Sequence, residues 1–230
     1  MPGSTHDHLL GGWVRHLRQL APAAGREQVL AVGRDLLDRY GEPHRHYHDP
    51  RHLAEVLAAV ALLAEHAHDL SVAVAAAWWH DAVYEVPVLT SAGAPTSSTE
   101  PGVSNEEASA RLAEESLGRL GVDGERLAHV GALIRMTAAH DPSPLDRDAE
   151  VLSDADLSVL ASPPNRYATY VADVRREYAA VPDDLFRTGR AAILRSLLAG
   201  DRVFRTPSAH ERWEADARAN IAAELRELDA

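Results

Sequence analysis

Residues 46–85 read HYHDPRHLAEVLAAVALLAEHAHDLSVAVAAAWWHDAVYE, and two helices in this stretch decide the fold. The second helix, predicted from Ser71 to about Val83, is apolar on almost every side until His80 is reached. A helix of this kind is buried in the centre of a protein, with the other elements around it. Burying His80 and the neighbouring Asp81 costs free energy unless something pairs them. Metal ligation is the simplest explanation of two such groups there.

The first helix of this stretch is predicted from about Pro50 to His66. Asp49 is suited to cap it, and proline is tolerated in the first helical turn. His52 heads a stripe of apolar residues at helical spacing, which faces the core. The sequence therefore predicts that His52 points inward, one helical hairpin before His80. Imidazole and carboxylate groups are ordinary ligands of Zn, Mn, Fe and Co.

Helical patterns continue along the rest of the chain. Further helices are predicted at about 9–20, 26–40, 104–120, 123–139, 153–160, 165–180, 183–200 and 208–228. No alternating β pattern and no internal repeat is present, so we expect an all-α fold of about nine to ten helices in one domain, residues 1–230. Residues 86–104, VPVLTSAGAPTSSTEPGVS, predict a flexible loop or lid beside the site.

Composition excludes several classes of function. The 23 basic and 35 acidic residues give a net charge of −12, which argues against binding to a nucleic-acid polymer. Every basic residue is Arg, so Schiff-base chemistry through Lys is excluded. The absence of Cys excludes disulfides, thiolate nucleophiles and iron–sulfur clusters. No signal peptide and no run of about eighteen apolar residues is present. We therefore expect a cytoplasmic protein without a membrane partner.

Five short motifs occur in a fixed order. They are YHDPRH at 47–52, WHDAVYE at 79–85, NEEASA at 105–110, TAAH at 137–140 and DADL at 154–157. In these motifs, and over nearly its whole length, the chain resembles the HD-domain superfamily of metal-dependent phosphohydrolases, in particular small bacterial proteins of that superfamily. Asp49 and Glu85 depart from the usual pattern, which has Asn and Asp there, and the loop at 86–104 is enlarged. The resemblance implies a helical bundle of the HD type.

The resemblance also implies a ligand set of His52, His80, Asp81 and Asp156 around one divalent metal ion. The identity of the ion stays open among Mn, Zn, Fe, Co, Ni and Mg. Asp154 is the alternative fourth ligand. A structural interpretation is open as well, in which Asp156 completes a capping box at a helix start.

The activity implied is hydrolysis of a phosphate ester or nucleotide by a metal-activated water, with Asp81, Glu85 and His140 as candidate catalytic residues. Glu85 lies one turn beyond Asp81, where it could orient the water or take its proton, although a solvated helix end is an equal alternative. His140 is expected to contact the phosphate or the leaving group. Only His129 and His140 lie between the His80–Asp81 pair and the last aspartate, so one metal is favoured over two.

The candidate substrate-binding residues are His48, Arg51, Arg111 and Arg135. The three arginines are chosen for their nearness to the motifs, and a surface role is the alternative for each. His48 either fixes a ligand or substrate by a hydrogen bond or packs within the loop before the third helix. Two other classes of function stay open: a di-iron oxygenase of the same superfamily and a non-catalytic, nucleotide-binding regulatory module. The expected partner is a small phosphate ester or nucleotide, and the sequence allows a homo-oligomer.

Overall fold

The structure, a computed structural model, describes residues 3–86, 88–89, 95–96 and 102–230. In this part of the chain ten α-helices form, so the predicted all-α class is confirmed. Val88–Leu89 and Pro95–Thr96 pair as two antiparallel two-residue strands, with Val88 opposite Thr96. The remainder of the predicted loop, residues 87, 90–94 and 97–101, lies outside the described residues.

The helices are numbered in chain order. They are α1 (Gly3–Leu20), α2 (Arg26–Tyr40), α3 (Pro50–Leu62), α4 (Leu70–Trp79), α5 (Asn105–Arg119), α6 (Gly124–Met136), α7 (Arg147–Leu157), α8 (Pro164–Glu177), α9 (Asp183–Ala199) and α10 (Pro207–Leu228). Two 3-10 turns, Ala64–His66 and Ser158–Ala161, follow α3 and α7.

Helix α4 lies in the centre, as its apolar sequence predicts. Every residue from Ser71 to Trp79 is buried, and the helix packs against α1, α3, α5, α6 and α7. Trp13 of α1 contacts Trp78 and Trp79, with ring centroids 5.0 and 5.3 Å away. The buried hydrophobic side chains form one cluster from α1 to α10. The single-domain organisation stays a prediction.

Helix α7 begins earlier than predicted. Asp146 is its N-cap, and the side chain of Asp146 accepts the N–H of Ala149. The prediction of a helix start at Ser153 was therefore wrong, because the polar residues from Arg147 to Glu150, which lack an apolar helical pattern, form the first turn. Asp156 consequently lies near the end of α7, and its alternative role in a capping box is excluded.

The connection between α3 and α4 is tied to α7 through Asp148. Its buried carboxylate accepts the backbone N–H groups of His68 and Asp69, at 2.7 and 3.0 Å. Asp69 in turn caps α4 by accepting the N–H groups of Ser71 and Val72. These contacts set where α4 begins. Within the described residues, no helix has both the length and the apolar character needed to cross a bilayer.

Candidate metal centre

The four predicted ligands lie close together in the interior. His52 is on α3, His80 and Asp81 follow α4 directly, and Asp156 is on α7. The Nε2 atoms of His52 and His80 are 3.0 Å apart. Asp81 Oδ2 lies 3.3 Å from His52 Nε2 and 3.0 Å from His80 Nε2. Asp156 Oδ1 lies 3.3 and 3.4 Å from the same two nitrogens. Both imidazoles are buried, so their lone pairs are hidden from bulk water.

These separations are those of neighbouring ligand atoms around one cation. An ion about 2.1 Å from each donor separates neighbouring donors by roughly 3.0 Å in octahedral and roughly 3.4 Å in tetrahedral geometry. The atoms of His52, His80 and Asp81 could therefore hold a metal ion. Asp156 adds a carboxylate oxygen within 3.4 Å of both imidazole nitrogens. The donor set of imidazole and carboxylate suits several divalent metals.

The end of α4 orients the His80 ring. The last carbonyl groups of a helix have no partner within it, and Ala77 O is one of them. His80 Nδ1 lies 2.9 Å from that oxygen and 3.5 Å from the Tyr40 hydroxyl. A proton on Nδ1 is donated to Ala77, which leaves the Nε2 lone pair facing the cluster. Metal-binding histidines commonly have such a backbone partner on their second nitrogen.

The electrostatics of the cluster favour positive charge. Burial lowers the pKa of His52, but hydrogen bonds with Asp156 and Asp81 outweigh it and raise that pKa to about 9. Burial alone would raise the pKa of Asp156, yet His80 and His52 hold it well below its usual range. Two ionised carboxylates therefore face two imidazoles, and protons or a bound cation balance them.

His140 stands beside Asp156 in a strained backbone conformation. Its φ of 48° is the only positive value at a described residue other than glycine, which marks a local cost that packing must offset. His140 Nε2 lies 3.4 Å from Asp156 Oδ2, and Nδ1 lies 3.3 Å from Ser153 Oγ. A carboxylate only accepts, so Nε2 carries the proton of the neutral ring. Burial lowers the pKa of His140 and favours that neutral form.

Asp154 is engaged elsewhere. Its two oxygens accept the backbone N–H groups of Arg205 and Thr206, each at 2.7 Å, and the Thr206 hydroxyl at 2.8 Å. These bonds join α7 to the segment that precedes α10. Of the two aspartates in the DADL motif, Asp156 is therefore the one brought to the cluster.

A cavity of about 740 Å³ lies next to the cluster, and Asp81, His140 and Asp156 line it. Glu85 is not among its lining residues; its backbone N–H and carbonyl bind the Asn105 side chain at 3.1 and 3.0 Å. Glu106, at the start of α5, lines the cavity instead. Ser104 caps that helix by accepting the N–H of Glu107, so Glu106 is not the capping residue.

His48 also lines the cavity and is held from two sides. Its Nδ1 lies 2.7 Å from Glu177 Oε2, and its ring stacks on Tyr84 with centroids 4.1 Å apart. Glu177 Oε1 accepts the N–H groups of His46, Tyr47 and His48 at 2.8 to 2.9 Å. A single buried carboxylate thus shapes the loop that leads into α3.

The three arginines predicted to bind substrate do not line the cavity. Each binds carboxylates of the protein itself: Arg51 pairs with Asp49 and Asp173, Arg111 with Glu107, and Arg135 with Glu107 and Glu114. Nearness in sequence to a motif does not decide where a side chain points, because the side chains of one helix point in all directions. The role of the three arginines as substrate ligands stays a prediction.

Arg45 is a residue beside the cluster that sequence reasoning missed. Its side chain is fully buried, and Nη1 donates to Asp81 O at 2.7 Å and to His48 O at 3.3 Å. Nη2 donates to Ala82 O at 3.3 Å. Arg45 therefore fixes the turn that carries Asp81. No local signal marks it, since its partners at the turn lie 36 and 37 residues away.

A second group that could hold an ion is formed by His129, Asp146 and Asp148. His129 Nε2 lies 3.0 Å from Asp146 Oδ2, and Nδ1 lies 3.9 Å from Asp148 Oδ2. Both carboxylates also accept backbone N–H groups, as described above. None of the three residues lines the cavity.

Comparisons with protein-family models, with curated proteins and with solved structures gave no match for this chain. The resemblance to the HD-domain superfamily therefore stays a prediction.

Proposed function

We propose that the protein is a metal-dependent phosphohydrolase with His52, His80, Asp81 and Asp156 as the metal ligands. The observation that carries this proposal is the position of the Asp81 and Asp156 carboxylate oxygens, 3.0 to 3.4 Å from two imidazole nitrogens that are themselves 3.0 Å apart. Both aspartates line a cavity large enough for a small substrate. A divalent ion, when bound, lowers the pKa of a water molecule and polarises a phosphoryl oxygen.

Two side chains of the cavity wall serve the two proton transfers of the reaction, from the attacking water and to the leaving oxygen. Water oxygen bonds to phosphorus as the ester P–O bond breaks, and the products are phosphate and an alcohol. Glu106 is a carboxylate in the cavity wall outside the ligand set, so it is the candidate acceptor of the water proton. The Nε2–H group of neutral His140 donates a hydrogen bond to the leaving oxygen, and that oxygen takes the proton that Glu106 received from the water. Arg45 holds the Asp81 turn in place throughout.

The first experiment measures bound metal and phosphate release together on the purified protein. His80→Ala is expected to lose the ion and to reduce hydrolysis of p-nitrophenyl phosphate to background. Arg119→Ala, a change at an exposed residue that does not line the cavity, is the matched control and should retain both. Metal content and activity unchanged in His80→Ala would refute the assignment. Metal-loaded protein that binds nucleotides without hydrolysing any ester would favour the regulatory module instead.

A further inference from the structure

We propose that the substrate is a phosphate monoester of an apolar alcohol, with the apolar part held against α8 and α9. The inference deepens the proposed function and rests on it. The cavity extends from the candidate metal centre along a wall of mainly apolar side chains. These include Leu160, Val174, Leu185, Phe186, Ile193 and Leu197. A phosphate and a water fill only a minor part of about 740 Å³.

Helix α9 presents one face to this cavity. Leu185, Gly189, Ile193 and Leu197 recur every four residues and all line it. Leu185 and Ile193 are 53 % and 58 % exposed, an unusual state for large apolar residues on a face with helical spacing. A Cβ built on Gly189 would meet nothing within 4 Å, so the middle of this face is open. An apolar ligand would cover these side chains.

The charge of the cavity disfavours a ligand with several phosphates. Arg190 is the one Arg among the described residues that line it, and Glu224 binds it at 2.7 and 3.2 Å. Asp81, Glu106 and Asp156 add negative charge. The chain between Arg51 and Arg111 contains no Arg or Lys, so the loop at 86–104 cannot supply a cation. One phosphate at the metal is therefore matched, whereas a nucleoside triphosphate is not.

Polar side chains of the wall are largely engaged within the protein. Both ends of the Asn105 amide bind the backbone of Glu85, and the Thr137 hydroxyl donates to Ile134 O at 2.7 Å. Few groups remain to read a nucleobase or a sugar. The wall therefore fits an alkyl or aryl group better than a nucleoside.

The test compares phosphate release from ethyl phosphate, octyl phosphate, AMP and ATP by the metal-loaded full chain. We expect kcat/KM for octyl phosphate to exceed that for the other three by at least tenfold, because its longer alkyl chain removes more apolar surface from water. Octylphosphonate, which cannot be hydrolysed, should also bind at least tenfold more tightly than ethylphosphonate. Equal values, or a preference for AMP or ATP, would overturn the inference and leave the phosphohydrolase standing.

Gly189→Leu fills the open part of the α9 face. It should lower the ratio of octyl to ethyl kcat/KM by at least tenfold, while Gly11→Leu, the same change on the exposed side of α1, should leave that ratio unchanged. An unchanged ratio in folded Gly189→Leu would overturn the inference. Tight octylphosphonate binding without release of phosphate from any ester would overturn the phosphohydrolase and support the ligand class alone. Neither binding nor release would overturn both.

Discussion

Among the described residues there are two clusters of one or two histidines with two aspartates. The two clusters differ in the groups that bind their carboxylates. In the second cluster, Asp146 accepts an N–H at the start of α7 and Asp148 accepts two N–H groups before α4. In the first cluster, Asp81 and Asp156 face the imidazole nitrogens at the wall of a cavity. Carboxylates that accept backbone N–H groups stabilise the fold, whereas carboxylates that face imidazole nitrogens at a cavity wall could hold a cation together with them.

The largest expected effect is on metal binding, and it separates the two clusters directly. Asp156→Asn removes a charged donor, so the affinity for the divalent ion should fall by at least about 100-fold. This exceeds the loss typical of changing a residue that only hydrogen-bonds a metal ligand. Asp146→Asn is the matched control, because asparagine also caps helices well. Calorimetric titration with the metal and elemental analysis measure both. Loss of the ion only in Asp146→Asn would reverse the assignment of the two clusters.

The next largest effect concerns Glu177, a carboxylate near the cavity. Like Asp148, it accepts backbone N–H groups and so stabilises the fold. Burial raises its pKa, but the His48 side chain and backbone N–H groups outweigh this and lower the pKa from 4.5 to about 2. Its contribution to stability is thus fully present above pH 4.5 and is lost as pH falls through about 2.

Glu177→Gln should therefore lower the free energy of unfolding by up to ~3 kcal/mol at neutral pH. The variant should also lose less stability than the wild type as pH falls from about 4.5 to about 2. Urea unfolding at a series of pH values measures both. Parallel pH curves for the two proteins would show that the ionised Glu177 does not stabilise this loop.

The smallest effect tests the structural role of the second cluster. Asp148→Ala leaves the N–H groups of His68 and Asp69 without their acceptor, which should cost about 2 kcal/mol of unfolding free energy. Metal content should stay unchanged, since Asp148 does not line the cavity. Denaturant unfolding and elemental analysis on the same preparation provide the two readouts. A variant of full stability that had lost its ion would make Asp148 a ligand.

The sequence predicted the central features of the fold because they follow from local patterns. The apolar run of α4 implied central burial, and the helical spacing after His52 implied that it faces inward. The choice between Asp154 and Asp156 could not be derived in the same way. Asp154 and Asp156 are two positions apart on a helix, so their side chains point about 200° away from each other. Only the packing of α7 decides which one reaches the cluster.

The other features that the sequence did not predict depend on long-range contacts. Arg45 looks like any polar loop residue, and its role depends on carbonyl groups of Asp81 and Ala82 beyond two helices. The start of α7 was misplaced because its first turn is polar and draws stability from contacts with the α3–α4 connection. The three arginines predicted to bind substrate pair with carboxylates of the protein and do not line the cavity, and their role as substrate ligands stays a prediction.

The position of the cluster at the end of α4 constrains the length of that helix. Asp69 fixes the start of α4, and each residue added after it turns the chain by about 100° and advances it by about 1.5 Å. A single insertion or deletion between Asp69 and His80 would rotate the imidazole away from its partners, however apolar the new residue. The number of residues between Asp69 and His80 is thus fixed by the geometry of the cluster. The side chains between them need only be apolar and of a size that fits the core.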